Sequence, residues 1–195
     1  MFQKLLKKVS RTLKKASVPY MVIGGQAVLL YGEPRLTRDI DITVGIGVDK
    51  LDQMKNIVST VGLRILVENE RAFVERNMVL PTLEVKSGIR VDFIFSFSPY
   101  ERQAIERGRD IRVGGTTIRF ASLEDLVIHK VIAGRARDIE DVKSILVKNP
   151  KYKSNEIARW LKEFDRSLEE NFLKTFRKIE KEIRGGHTGH GSFVD

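Results

Sequence analysis

Cysteine is absent from this 195-residue chain, so neither a disulfide framework nor a thiolate metal site can be built. Its absence fits the cytosol, and the N-terminus lacks the apolar core and small-residue cleavage site of a secretory signal, so a cytoplasmic location is expected. No apolar run approaches the roughly 20 residues that a spanning helix needs, and no membrane contact is expected. No long Pro/Gly linker precedes residue 185, and no internal repeat is visible. Acid is missing from residues 1–15, where Lys4, Lys7, Lys8, Arg11, Lys14 and Lys15 supply six of the nine net positive charges. That concentration favours a polyanionic partner for one helix more than for the whole chain. What remains is ordinary globular composition, 42% hydrophobic and 31% charged, with length enough for one sizeable core plus helical decoration.

Hydrophobic periodicity divides the chain into four segments. A basic amphipathic helix over 1–18 carries Phe2, Leu5, Leu6, Val9 and Leu13 on one face and its lysines on the other. A core over 19–121 starts with a short buried strand, Tyr20 to Ile23, a Gly24-Gly25 turn and an apolar helix to Tyr31. A second strand, Asp39 to Val44, follows a loop with Gly32 and Pro34. Then come a helix over 49–61, a variable stretch with a strand near Leu83–Val85, a clear strand over Ile89–Phe95 and a helix over Pro99–Arg107. A hairpin closes around Gly114-Gly115. A helical part over 122–184 opens at Ser122 and Asp125, spaced as in a capping box, and breaks at Gly134. From Ile157 to Ile183 an apolar stripe describes one long helix or two with a bend, serving core or oligomer contact. The Gly-rich tail over 185–195 holds His187 and His190, which are expected to be solvated. The class is α+β (mixed α/β): a small mixed sheet flanked by helices, then a helical C-terminal part.

The chemistry concentrates in three acids. Asp39 and Asp41 are two apart on a strand, so their carboxylates share a face while Ile40 and Ile42 point into a core. Two such charges at ~4 Å repel by on the order of 4 kcal/mol at an effective dielectric near 20, and a cation relieves that. Hard oxygen donors suit Mg²⁺ or Mn²⁺. Asp92 lies within Arg90-Val91-Asp92-Phe93-Ile94, a strand otherwise bound for the interior, where an acid needs a partner or an ion. If the two strands are neighbours, three carboxylates converge, enough for a two-metal site. Behind Gly24-Gly25, a helix N-terminus offers bare amides to a phosphate.

Gly24-Gly25, Gly32, Arg35, Thr37 and Asp39-Ile40-Asp41, with Asp92 as third acid, resemble the signature of the DNA polymerase beta-type nucleotidyltransferase superfamily. Lys130, Arg135, Arg137, Asp138 and Asp141, following Asp125-Leu126, resemble later motifs of the abortive-infection type IV toxins of the AbiEii kind. The likeness spans about residues 19–147. It implies transfer of an NMP from an NTP, with Asp39 and Asp41 as shared metal ligands and Asp92 as a ligand and general base. Gly24 and Gly25 then lie under the triphosphate, with Arg35 and Thr37 in the same nucleotide-binding signature. Many members carry Gly-Ser at that turn; Gly25 has no hydroxyl, so backbone amides must suffice.

Lys130 and Arg137 can reach the triphosphate or a nucleic-acid backbone, or cap a helix end; Arg135 divides evenly between the two. Arg35 and Arg38 either touch phosphate or balance the carboxylates. Asp138 reads as an N-cap. The expected acceptor is RNA, a tRNA 3′ end included, or a partner protein, as in a toxin–antitoxin pair. A small-molecule (antibiotic) nucleotidyltransferase and a non-catalytic nucleotide-binding module of the same fold are the alternatives. Retention of all three acids speaks against the last.

Overall fold

The structure, a computed structural model, describes residues 2–34, 36–37, 39–96 and 98–186. Contacts divide the chain into two units, Met1–Ala27 with Arg35–Ser122, and Val28–Pro34 with Leu123–Asp195. Arg35, Arg38, His187 and His190 lie outside the described residues, as does most of the expected tail.

In the first unit the strands are β1 (Tyr20–Ile23), β2 (Asp39–Val44), β3 (Arg64–Ile65), β4 (Val79–Glu84), β5 (Ile89–Phe95), β6 (Arg109–Val113) and β7 (Thr116–Phe120). They form one seven-stranded mixed sheet in the order β3-β4-β5-β2-β1-β7-β6. β2 runs parallel to β5 and antiparallel to β1, which is parallel to β7. Alternation builds these strands: Ile40 and Ile42 of β2, and Val91, Phe93 and Phe95 of β5, are fully buried. The hairpin expected around Gly114-Gly115 joins β6 to β7, both glycines at positive φ (48° and 78°) where a side chain would be strained.

The helices of this unit are α1 (Phe2–Lys15), α2 (Gly24–Tyr31), α3 (Leu51–Val61, after a 3₁₀ turn), α4 (Glu70–Asn77) and α5 (Pro99–Arg107); the second half of α2 belongs to the other unit. α1 packs on α3 and β7 through the buried Leu5, Leu6, Val9 and Leu13, the stripe read from the sequence. Lys8, Arg11 and Lys14 then donate to Val61 O (2.7 Å), Thr116 Oγ1 (2.7 Å) and Thr117 O (2.6 Å), so part of the basic face also anchors the helix. α5 starts at a capping box, with Ser98 and Glu101 each bonding the other's backbone N–H or side chain.

The variable stretch holds more structure than its pattern announces. α4 buries only Val74 and so shows no apolar stripe. β4 starts four residues before the expected strand, because Pro81 argues against a strand yet sits paired with Asp92, its carbonyl accepting from Leu66 N at 3.0 Å.

The second unit consists of α6 (Leu123–Ala133), α7 (Ala136–Lys148), α8 (Ser154–Leu168) and α9 (Phe172–Gly186), packed on one another, with residues 28–34 laid along α7. Asn149 Nδ2 donates to Tyr31 O (2.7 Å) and Lys148 Nζ to Gly32 O (3.2 Å). The C-terminal stripe resolves into two helices. Glu169 turns left-handed (φ 55°), and the Asp165 carboxylate accepts from the first amides of α9, Phe172 N (2.5 Å) and Leu173 N (3.2 Å). Ile157, Leu161, Phe176 and Ile179 are thereby buried within this unit.

Two buried acids hold these helices. Glu180 accepts from Tyr152 Oη (2.9 Å), Ser154 Oγ (2.7 Å) and Arg177 Nη1 (2.5 Å). Asp138 accepts from Lys130 Nζ (2.6 Å) and Arg135 Nε (2.5 Å). Burial pushes both carboxyls up, but these bonds outweigh it and hold both below their ordinary values. A folded-state value below the unfolded one gives stability that is complete above the unfolded value, about pH 4, and lost as pH falls through the depressed folded value. Urea unfolding is therefore expected to give a constant stability down to about pH 5 and a decline below it. Glu180→Gln should make that decline shallower.

Candidate active site

The parallel pairing of β2 with β5 sets Asp41 directly beside Asp92 and Asp39 beside Arg90. Strand alternation puts all four on the outward face, since Ile40, Val91 and Phe93 fill the opposite one. Asp39 is exposed, whereas Asp41 and Asp92 are half-buried. On the other side of Asp41 lies Ile23, the last residue of β1, which leads into α2.

Gly24 opens α2 at a positive φ of 62°, against Asp41. A β-carbon at that position would stand 1.9 Å from Asp41 Oδ2, so only glycine admits the carboxylate there. Gly25 follows, buried, in the first turn of the helix, where backbone N–H groups have no intrahelical partner. The two glycines thus form part of the helix, whose start lies two residues before that expected from the sequence. Thr37 Oγ1 donates to the carbonyl oxygen of Asp39 (3.3 Å), which ties the loop to the start of β2.

Asp92 has the partner that an acid in a buried strand requires. Arg90 Nε donates to its Oδ1 at 2.8 Å, from the same face two residues earlier. Burial raises the Asp92 carboxyl above its ordinary value, the negative charge of Asp39 adds to that, and Arg90 opposes both. Arg90 also feels the charges of Asp39 and Asp41, so one guanidinium serves all three acids. Among the described residues no three acids or histidines are gathered closely enough to hold a metal ion. β2 and β5 are neighbours, the condition set for the three acids to converge, but the side chains do not form a ligand group among the described residues, and Arg90 supplies the positive charge. The donor set itself, three carboxylates on adjacent strands, fits a hard divalent cation. Arg90 went unassigned in the sequence, although its i, i+2 spacing from Asp92 was the signal for it.

In the second unit the sequence expectations need correction. Lys130, expected to meet a triphosphate, is 5% exposed, and its Nζ lies between Asp138 Oδ1 (2.6 Å) and Asp141 Oδ2 (2.7 Å). Asp138 is inside α7 and not its N-cap, a position taken by Arg135. The chain turns at Gly134 (φ 64°), so the end of α6 faces the start of α7 and the motif's lysine meets its own acids. Arg137 is exposed on α7.

The mixed sheet, with acids on paired parallel strands and a glycine-led helix behind them, is the architecture of a nucleotidyltransferase. Over residues 2–183 the chain matches the family described as "Nucleotidyl transferase of unknown function (DUF2204)", and it belongs to that family. It is accordingly a transferase enzyme. The fold is shared with the antibiotic-resistance factor ANT(2″)-Ia, solved in complex with adenylyl-2″-tobramycin, at 15% identity and a TM-score of 0.60 over 86% of this chain and 98% of that one. The lincosamide antibiotic adenylyltransferase LnuA, solved with lincomycin bound, matches at 19% identity and a TM-score of 0.52 over 73% of this chain and 94% of its own. An antigenic nucleotidyltransferase-like protein from Paracoccidioides brasiliensis matches at 14% identity and a TM-score of 0.55 over 89% and 92%. No curated protein matches the chain. Among the described residues, no helix is long and apolar enough to cross a membrane.

Proposed function

We propose that the protein moves an NMP from an NTP onto a hydroxyl of RNA, using Asp39, Asp41 and Asp92. The observation that carries this reading is the side-by-side register of Asp41 and Asp92, with Asp39 on the same face and Gly24 packed against Asp41. The three carboxylates are the groups that would hold Mg²⁺ or Mn²⁺, which supplies charge neutralisation on the phosphates and acidifies a nearby hydroxyl. The open amides at the start of α2 receive the triphosphate, without help from a hydroxyl at Gly25. Asp92, whose burial raises its carboxyl above the ordinary value and so makes its carboxylate a stronger base, takes the proton of the acceptor hydroxyl. Thr37 holds the loop before β2 in place, and Arg35, two residues earlier in the chain, adds positive charge. Lys130 acts in the second unit as a structural counter-ion, and with it the motif that resembles the abortive-infection toxins holds α6 to α7.

RNA is favoured by α1. Lys4, Lys8, Arg11 and Lys15 follow one another at steps of four, three and four, a basic stripe along one helical face, and all four are exposed. Lys8 and Arg11 also fasten the helix, so the informative variant is Lys4→Gln/Lys15→Gln, which leaves those anchors intact. Removing one phosphate-binding charge should shallow the log–log salt slope of single-stranded RNA binding by roughly 0.7, and NTP affinity should stay as it was. A second reading, a small-molecule hydroxyl as acceptor, draws on the fold shared with ANT(2″)-Ia and LnuA, solved with adenylyl-2″-tobramycin and with lincomycin.

Purified protein incubated with each labelled NTP, Mg²⁺ and total RNA tests the proposal, beside parallel reactions with aminoglycosides and lincosamides. Label on RNA, absent in Asp39→Asn, supports the first reading. Label on an antibiotic alone supports the second, and label on a co-purifying protein removes both acceptors while leaving the transferase in place.

A further inference from the structure

A cation already stands among the three acids of the first unit. Arg90 is the cross-strand partner of Asp39 and bonds Asp92 at 2.8 Å. The charges of Asp39 and Asp41 also act on it. An arginine two residues from an acid on a strand face need not turn toward it, because a half-exposed guanidinium can equally lie in water. Here it turns inward, and the reason is electrostatic. Three carboxylates on neighbouring strands repel one another, and Asp92 is 17% exposed, so little water reaches it to screen that repulsion.

We propose that Arg90 is the built-in counter-ion of the metal-free site, competing with the divalent ion for Asp92 and swinging out to solvent when the ion binds. This rests on the reading of Asp39, Asp41 and Asp92 as the metal-holding set. Geometry favours exchange over a permanent pair. Arg90 is 49% exposed and leaves Asp92 by rotation of its own side chain, without moving the strand. Asp92 Oδ1, the atom that Arg90 holds, is one of the oxygens a metal needs, so the two cannot share it without repulsion. The arrangement keeps the acids from driving β2 and β5 apart before the ion arrives, at the cost of weaker metal affinity. It also explains why the acids here do not form a ready-made cluster, although the register brings them side by side.

The test is calorimetric titration of Mn²⁺ into the NTP-free protein, with thermal melts at zero and saturating Mn²⁺, for wild type, Arg90→Gln, Arg90→Lys and Asp92→Asn. Arg90→Gln removes the competitor, and Mn²⁺ should bind roughly fivefold tighter, the scale of one partly exposed ion pair. The same variant should melt lower without metal, and Mn²⁺ should raise its melting temperature by more than it raises that of wild type. Arg90→Lys keeps the charge and should fall between the two on both measures. An Arg90→Gln protein that binds Mn²⁺ as wild type does, or more weakly, overturns the proposal and makes Arg90 a support that positions Asp92; the metal reading then stands if Asp92→Asn still loses affinity. Wild type and Asp92→Asn that both fail to bind Mn²⁺ would remove the metal reading and the competition with it.

Discussion

Asp41→Asn is expected to abolish nucleotidyl transfer while leaving the protein folded and, without metal, slightly more stable than wild type. Asp41 occupies the centre of the arrangement, paired across the ladder with Asp92, two residues from Asp39, and packed against Gly24. Asparagine keeps its shape and one oxygen but not its charge, so the change isolates electrostatics from packing. Loss of one group that stabilises developing charge costs about a hundred- to a thousandfold, and loss of a shared ligand should reach at least the upper end. The stability effect has the opposite sign because a like-charge repulsion disappears with the charge. Partial exposure and Arg90 both weaken that repulsion, so a gain of about 1 kcal/mol is a fair ceiling, or roughly 2–4 °C in melting temperature for a chain of this size. Transfer assays and melts on one preparation check both halves. An Asp41→Asn protein that retains wild-type transfer would sink the three-acid mechanism.

Lys130→Ala should produce the largest loss of stability among these substitutions. Its ammonium lies between Asp138 and Asp141 with almost no exposure, and each carboxylate is itself buried. Removing the cation leaves two buried acids side by side, with Arg135 as a further partner of Asp138. Breaking a buried pair by deleting one partner costs about 3–5 kcal/mol, which corresponds to a melting temperature lower by roughly 10 °C. Asp138→Asn/Asp141→Asn in the Lys130→Ala background should recover part of that loss, since the two buried like charges go with it. The outcome that returns Lys130 to the nucleotide is specific: an unchanged melting temperature together with weakened NTP binding by calorimetry.

These two residues show how far a one-dimensional reading reaches. The D-x-D on β2 announces a shared face because the pleat has period two whatever the neighbouring strand does. Asp92 stands out for a related reason, as a charge in a run that otherwise reads as interior. Lys130 looks the same in the sequence as a phosphate-binding lysine does. Its partners are eight and eleven residues away, and only the turn at Gly134 brings α7 back along α6 to meet it. Arg90 was legible only as a neighbour of Asp92. Its closeness to Asp39 depends on which strand lies beside β5 and in which register.

What the sequence determined by itself is therefore what local periodicity and covalent geometry dictate. That covers the bounds of β2, β5 and α5, the apolar stripe of α1, the turn of the β6–β7 hairpin, the common face of Asp39 and Asp41, and the mixed class of the fold. Strand order, the break between α8 and α9 at Glu169, the short helix α4 and the placement of Pro81 in β4 were decided only by tertiary structure. So was the division of the charged residues between site and scaffold. The physical reason is that an ion pair or a strand pairing is a contact between residues distant in the chain, and its energy depends on burial and separation. Neither quantity exists until the sheet has chosen its order and the helices have folded back on one another.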